Sequence, residues 1–153
     1  NSKINLKYLP LYILVMVYLV HFPFLQRTSQ KEPRFYTSEN IEIAKLIDTK
    51  VNESERIYIL GLESSLYSMS NTLPPARWTD NFAWYLEIPG VQDEILSRWE
   101  TSPPKYVFWR TPSPGNPFDL ATYQPVKIVE WIRINYSQKE EVKTGIFLWE
   151  INN

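Results

Sequence analysis

The first 27 residues differ sharply in hydropathy from the rest of the chain. A run of 18 residues, Tyr8–Leu25, contains no charged side chain, with Lys7 before it and Arg27 shortly after it. As an α-helix this run would measure roughly 27 Å, close to the ~30 Å hydrocarbon core of a bilayer. The sequence therefore predicts one transmembrane helix with its flanks in residues 1–27, followed by a soluble domain in residues 28–153.

Aromatic residues near both ends of the run fit a membrane span. Tyr8 and Tyr12 lie near one end, and Phe22 and Phe24 near the other, where aromatic rings favour the membrane–water interface. Two alternatives stay open. One is a cleaved signal peptide, although no small-x-small cleavage site follows the run. The other is a core or interfacial helix, although the run has no polar face. Basic residues flank both ends, so the positive-inside rule does not orient the run.

Composition excludes several functions for the soluble part. The chain has no cysteine, and its single histidine, His21, lies inside the apolar run. A thiolate site, a zinc site built from His or Cys and a Ser-His-Asp triad are therefore excluded there, and we expect no metal. All 17 acidic residues follow Leu25 together with 14 of the 16 basic residues, a net charge of −3. Without a basic stripe we expect no nucleic-acid partner.

No nucleotide-binding loop is present. The first predicted strand leads into Gly61-Leu62-Glu63-Ser64-Ser65, which lacks the second and third glycines of a dinucleotide loop. An acid, Glu63, stands where a phosphate would approach, and no Walker A sequence occurs. We therefore expect no cofactor.

Hydrophobic periodicity predicts alternating helices and strands after a polar linker. The predicted elements are a helix from Thr37 or Ser38 to about Lys50, a strand over Arg56–Leu62, a helix over Glu63–Ser70, an irregular stretch over 72–89, a helix over Val91–Thr101, a strand over Lys105–Thr111, a loop over Pro112–Pro117, a helix beginning near Pro125, a charged turn over Ser137–Lys143 and a strand over Gly145–Ile151. This order favours an α/β fold, a small Rossmann-like layered sandwich with about three strands and a mainly parallel sheet. The direction of the last strand stays open.

The segment Ile57–Trp78, IYILGLESSLYSMSNTLPPARW, carries a series of short motifs. They are a strand ending in Gly61, a helix with Leu66-Tyr67, a polar turn at Ser70-Asn71 and the Pro74-Pro75-x-Arg77 sequence, followed later by Pro103-Pro104-Lys105-Tyr106-Val107 and a final helix–strand pair. In this order the chain resembles the C-terminal extracytoplasmic region of polytopic membrane glycosyltransferases of the GT-C class. This lipid-linked-sugar-dependent group includes dolichyl-phosphate-mannose protein mannosyltransferase-like and aminoarabinose-transferase-like proteins.

The chain departs from the family pattern in places. Leu60-Gly61 replaces the frequent Trp-Gly, and Ser70-Asn71 replaces Ser-Gly. Asparagine tolerates the left-handed conformation, so we expect the second turn to survive. The family's catalytic acid lies in an early extracytoplasmic loop that is missing here. No catalytic residue is therefore assigned, and we expect this chain alone not to catalyse transfer.

The resemblance implies a function for a larger protein. The chain begins with Asn1 rather than methionine, so we expect it to be a piece whose span is the last of several. The whole protein would move a sugar from a polyprenyl phosphate to a cell-envelope acceptor, and this domain would lie on the extracytoplasmic side of the cell membrane. Its partners would be the lipid bilayer and the polyprenyl-phosphate-linked sugar. One alternative is a membrane-anchored extracytoplasmic carbohydrate- or protein-binding module without enzymatic activity. Another is a part of a different polytopic envelope protein, such as a ligase or flippase.

Three residues are the candidate substrate contacts under this resemblance. Arg77 follows a rigid Pro-Pro pair, and its guanidinium would suit a phosphate or sugar, with Trp78 beside it. The structural alternative pairs Arg77 with Asp80 or with a loop carbonyl. Tyr67 is the third candidate, and its alternative role is in the core.

Overall fold

The structure, a computed structural model, describes residues 8–29, 36–112 and 122–152. The chain divides into two compact units, Asn1–Arg34 and Phe35–Asn153.

The first unit contains one helix, α1 (Leu9–Ser29). The described side chains from Tyr8, which precedes the helix, to Leu19 are all exposed, and all except Pro10 are large and hydrophobic. No helix in the described part of the chain is long and apolar enough to cross a membrane, so the expected transmembrane helix is not found there.

The second unit is a mixed α/β domain built on a four-stranded sheet. Its elements are, in chain order, α2 (Ser38–Lys50), β1 (Ile57–Leu60), α3 (Ser65–Met69), α4 (Ala83–Leu86), α5 (Val91–Thr101), β2 (Tyr106–Arg110), α6 (Val126–Asn135), β3 (Tyr136–Lys143) and β4 (Ile146–Ile151). The strand order is β1-β2-β4-β3. The pair β1–β2 is parallel, and the pairs β2–β4 and β3–β4 are antiparallel.

The prediction of a mainly parallel sheet is wrong, because one strand pair of three is parallel. The connection from β1 to β2 contains α5 and is long enough for a parallel crossover. The two-residue link between β3 and β4 permits only a hairpin, and Gly145 in that turn has a φ of 75°. This hairpin makes β4 antiparallel to β3, and the other edge of β4 also pairs antiparallel, with β2.

The prediction of about three strands is also wrong, because the charged turn expected over Ser137–Lys143 is the edge strand β3. Five consecutive residues of β3, from Ser137 to Glu141, are exposed. Charged side chains on an edge strand oppose pairing with another chain, so the charge that suggested a turn suits this position equally well. The segment is a strand because its backbone pairs with that of β4.

The sheet has a separate hydrophobic core on each face. On one face α2 and α3 pack on the strands, with Ile43, Ile47, Ile57, Ile59, Leu66, Phe108, Ile146 and Leu148 buried. On the other face α5 and α6 pack on the strands, with Tyr58, Leu60, Ile95, Trp99, Val107, Trp109, Ile128 and Ile132 buried. Alternate residues of each strand serve opposite cores, as the period of two requires.

Several local predictions are confirmed. Helix α2 begins after Thr37, whose side-chain oxygen accepts a hydrogen bond from the backbone N–H of Asn40 at 3.1 Å. Helix α5 has the predicted bounds. Asn71 has a φ of 51°, the left-handed conformation expected for the Ser70-Asn71 turn. The prediction of an irregular stretch over 72–89 holds only in part, because this stretch contains the single-turn helix α4.

Candidate functional site

Arg77 and Trp78 converge on one carboxylate. Arg77 Nη2 lies 2.9 Å from Glu94 Oε2, and the indole Nε1 of Trp78 donates to the same oxygen at 2.9 Å. The guanidinium carbon of Arg77 also lies 4.8 Å from the centroid of the Trp78 ring. Glu94 stands in the first turn of α5, so the helix dipole favours its negative charge.

This arrangement replaces the expected partners of Arg77. The carboxylate that Arg77 contacts belongs to Glu94, and not to Asp80. The Trp78 hydrogen bond, followed by that from Arg77, lowers the pKa of Glu94. The side chain of Arg77 is 67% exposed, so part of its guanidinium stays accessible while it fixes the segment after Pro75 to α5.

A groove of about 380 Å³ lies beside the Pro-Pro pair. Its lining consists of Arg56, Pro74, Pro75, Ala76, Arg98, Thr101 and Ser102, and we call it the Pro-Pro groove. Arg98 lies 3.7 Å from Glu94 Oε1, so Glu94 is shared between Arg77 and Arg98. Arg56 has no ion-pair partner among residues 8–29, 36–112 and 122–152. The Thr101 hydroxyl donates to the Ser97 carbonyl at 3.3 Å. The groove thus presents two guanidinium groups and the Ser102 hydroxyl as donors suited to an oxyanion.

A buried amide that the sequence did not single out holds the chain following this segment. Asn81 is 1% exposed, accepts from the Tyr58 hydroxyl at 2.8 Å and donates to the Ile59 carbonyl at 2.6 Å. Both partners belong to β1. An asparagine in an irregular stretch is usually a surface turn residue, so no local signal distinguished it.

Tyr67 has the core role that was its alternative interpretation. It is 5% exposed, and its hydroxyl accepts a hydrogen bond from the backbone N–H of Ile59 at 3.1 Å. Burial raises its pKa. Its ring also borders a second groove of about 390 Å³ with Tyr36, Ser64, Ser65, Ser68, Pro74 and Thr79. Within the described residues, no hydrogen bond or ring contact joins Tyr67 to Arg77 or Trp78.

An aromatic groove of about 340 Å³ lies elsewhere in the domain. Its lining consists of Trp109, Thr111, Pro112, Arg133, Gln138, Phe147 and Trp149, and we call it the tryptophan groove. The sequence did not single it out. Period-two alternation shows that Phe147 and Trp149 share a face, but both faces of β4 are apolar. The structure shows that Ile146 and Leu148 are buried, whereas Phe147 and Trp149 are partly buried.

The described residues contain no group of three or more His, Cys, Asp or Glu side chains arranged to hold a metal ion. Comparison with known proteins finds no match: no family model, no curated protein and no solved structure is significantly similar to this chain. A functional proposal for this chain therefore rests on the geometry of the grooves and on the sequence motifs.

Proposed function

We propose that this chain is the non-catalytic C-terminal domain of a membrane glycosyltransferase, which transfers a sugar from a polyprenyl-phosphate donor to a cell-envelope acceptor. The observation that carries the proposal is the Pro-Pro groove. The segment with the strongest family resemblance ends in Pro74-Pro75-x-Arg77, and this segment forms one wall of a groove that contains Arg56 and Arg98.

The charge balance of this groove suits a phosphate. Glu94 is the one carboxylate of the described chain that pairs with Arg77 or Arg98, and neither guanidinium is buried. An incoming phosphate can therefore compete for Arg98 or use Arg56 without leaving a buried charge unpaired. Guanidinium groups bind phosphate oxygens through paired N–H donors. In the proposed role the groove holds the phosphate of the lipid-linked donor or of the departing lipid.

Helix α1 supports a membrane setting for the parent protein. Its described side chains form an apolar surface that is exposed from Leu9 to Leu19. Contiguous apolar surface of this kind marks contact with lipid or with other apolar elements. We propose that lipid or further helices of the parent protein cover it, with the α/β domain on the extracytoplasmic side of the cell membrane.

The proposal is tested with the full-length parent protein in lipid. Transfer of a labelled sugar from a polyprenyl-phosphate donor is compared between wild type and Arg77→Ala. A large loss of transfer with an unchanged level of folded protein supports a contribution of this segment to the donor site. Wild-type-like transfer by the variant limits Arg77 to fixing the loop to α5.

The second candidate function is the membrane-anchored binding module without enzymatic activity. The tryptophan groove favours it, since aromatic walls with polar groups between them suit a carbohydrate. Absence of transfer by the parent across a panel of donors and acceptors, together with sugar binding, would support this function over the first.

A further inference from the structure

The tryptophan groove has two indole rings from neighbouring strands as its walls. The centroids of Trp109 and Trp149 lie 5.3 Å apart, and their planes are inclined by 37°. Trp109 pairs with Phe147 across β2 and β4, and Trp149 pairs with Gln138 across β4 and β3. Strand pairing therefore fixes the positions of the Trp109, Phe147 and Trp149 rings and of the Gln138 amide. A preformed binding site needs side chains that are held in place in this way.

One buried hydrogen-bond donor of this groove has no partner within the described residues. Trp109 is 7% exposed, and its Nε1 is one of two buried side-chain polar atoms that have no hydrogen-bond partner in the described chain. The other belongs to Trp99, whose ring is enclosed between Tyr58 and Trp131. Trp109 differs because it lines a groove.

An exposed cation overlies the same indole. The guanidinium carbon of Arg133 lies 5.8 Å from the centroid of the Trp109 ring, within the distance of a cation–π contact. No carboxylate of residues 8–29, 36–112 or 122–152 forms an ion pair with Arg133. Its donors are therefore available to a ligand in the groove.

We infer that the tryptophan groove is a saccharide-binding site that takes one pyranose ring of a glycan. The C–H face of the sugar stacks on Trp149 and Phe147, because its slightly positive hydrogens meet the negative face of an aromatic ring. Sugar hydroxyls accept from Arg133 and, once side chains rearrange to expose it, from the buried Nε1 of Trp109, which has no partner among the described residues. The volume of about 340 Å³ lies at the lower end of the range for small-molecule sites.

This inference does not depend on the transferase proposal, because the tryptophan groove and the Pro-Pro groove have no residue in common. Sugar contact at this groove would hold an acceptor or a product glycan beside the domain in either function. If the parent protein does not use a polyprenyl-phosphate donor, the inference about the tryptophan groove is unaffected. If no sugar binds in the tryptophan groove, the proposal for the Pro-Pro groove is unaffected.

The test is a titration of the full chain, held in detergent micelles, with cellobiose and with maltose. The measured quantity is the chemical shift of the indole ¹⁵N–¹H NMR signal of each tryptophan. Sorbitol is the control, because it has the hydroxyls of a sugar but no ring face. We expect saturable shifts of the Trp109 and Trp149 signals with at least one disaccharide and none with sorbitol, and no shift at Trp84, which is 72% exposed elsewhere in the domain.

Variants separate stacking from loss of folding. Trp149→Ala should weaken binding about tenfold or more, whereas Trp149→Phe should retain most of it. Arg133→Gln should weaken binding and move the Trp109 signal of the free protein, whose ring Arg133 overlies. The Trp84 signal should stay in place, which shows that the domain remains folded. Trp84→Ala is the matched control and should bind as the wild type does. Equal shifts with sorbitol, no saturable shift with either disaccharide, or full binding by both Trp149→Ala and Arg133→Gln would overturn the inference.

Discussion

The indole N–H of Trp78 donates a 2.9 Å hydrogen bond to Glu94 on α5, and the guanidinium of Arg77 contacts the same carboxylate oxygen. One acidic side chain thus holds two consecutive residues of the segment that follows the Pro-Pro pair. Removal of the Glu94 carboxylate would release Arg77 and Trp78 together. Asn81 would still hold the following residues to β1 through Tyr58 and Ile59.

The stability of the domain should depend on the protonation of Glu94. Its pKa is lowered in the folded state, so the stability that it contributes is complete above the unfolded-state value of about 4.3 and is lost as the pH falls through the lower folded value. We expect wild type to lose more stability than Glu94→Gln on acidification below about pH 4.5. Urea unfolding at several pH values measures this difference. Glu100→Gln, on the same helix, is the control, and parallel pH profiles for wild type and Glu94→Gln would contradict the prediction.

Tyr67→Phe should destabilise the domain although the ring is kept. The change leaves the backbone N–H of Ile59 without its acceptor inside the core, which costs about 1–3 kcal/mol. Chemical unfolding measures the loss. Tyr85→Phe serves as the comparison, because no hydrogen bond to the Tyr85 hydroxyl occurs within the described residues. Equal stability of the two variants would show that the Tyr67 hydroxyl contributes nothing.

Asn81→Ala should be costly, because it leaves two buried groups of β1 unpaired. The Tyr58 hydroxyl loses its acceptor and the Ile59 carbonyl loses its donor, so we expect a loss of at least about 2 kcal/mol. Tyr58→Phe removes one of the orphaned groups, and the double variant should lose less than the sum of the single losses. Additive free energies of unfolding would show that the two side chains act independently.

Gly145→Ala should destabilise more than Gly90→Ala. Both glycines have positive φ, 75° at Gly145 and 86° at Gly90. The left-handed conformation would destabilise an alanine by about 1–2 kcal/mol at either position. An added Cβ at Gly145 would also lie 3.3 Å from Thr111 Oγ1, whereas one at Gly90 would have no described atom beyond the adjoining residues within 4 Å. Thermal unfolding compares the variants. A larger loss for Gly90→Ala would contradict the crowding at the β3–β4 turn.

Helices and strands were predicted correctly where hydrophobic periodicity and the flanking turn or proline residues indicate the same element. Helix α5 was predictable because a period of apolar residues ends before Pro103-Pro104. Strand β3 was not, because charge suits both a turn and an edge strand. The role of Glu94 has no local signal either, since its partners are 16 and 17 residues away in sequence. The tryptophan groove depends on strand pairing and on incomplete coverage of one sheet face, which no local pattern determines.

The most direct test of the central claim is the donor dependence of the full-length parent protein in lipid vesicles. Transfer of labelled sugar is measured against polyprenyl-phosphate-sugar concentration for wild type, Arg56→Gln/Arg98→Gln and Arg110→Gln. Arg110 pairs with Glu39 outside the Pro-Pro groove, and so it is the matched control. We predict that the double variant raises the KM for the donor at least about tenfold, the effect of losing roughly 1.4 kcal/mol of phosphate contact, while Arg110→Gln leaves it unchanged. A wild-type KM in the double variant, or no transfer by wild type from any polyprenyl-phosphate sugar, would contradict the claim.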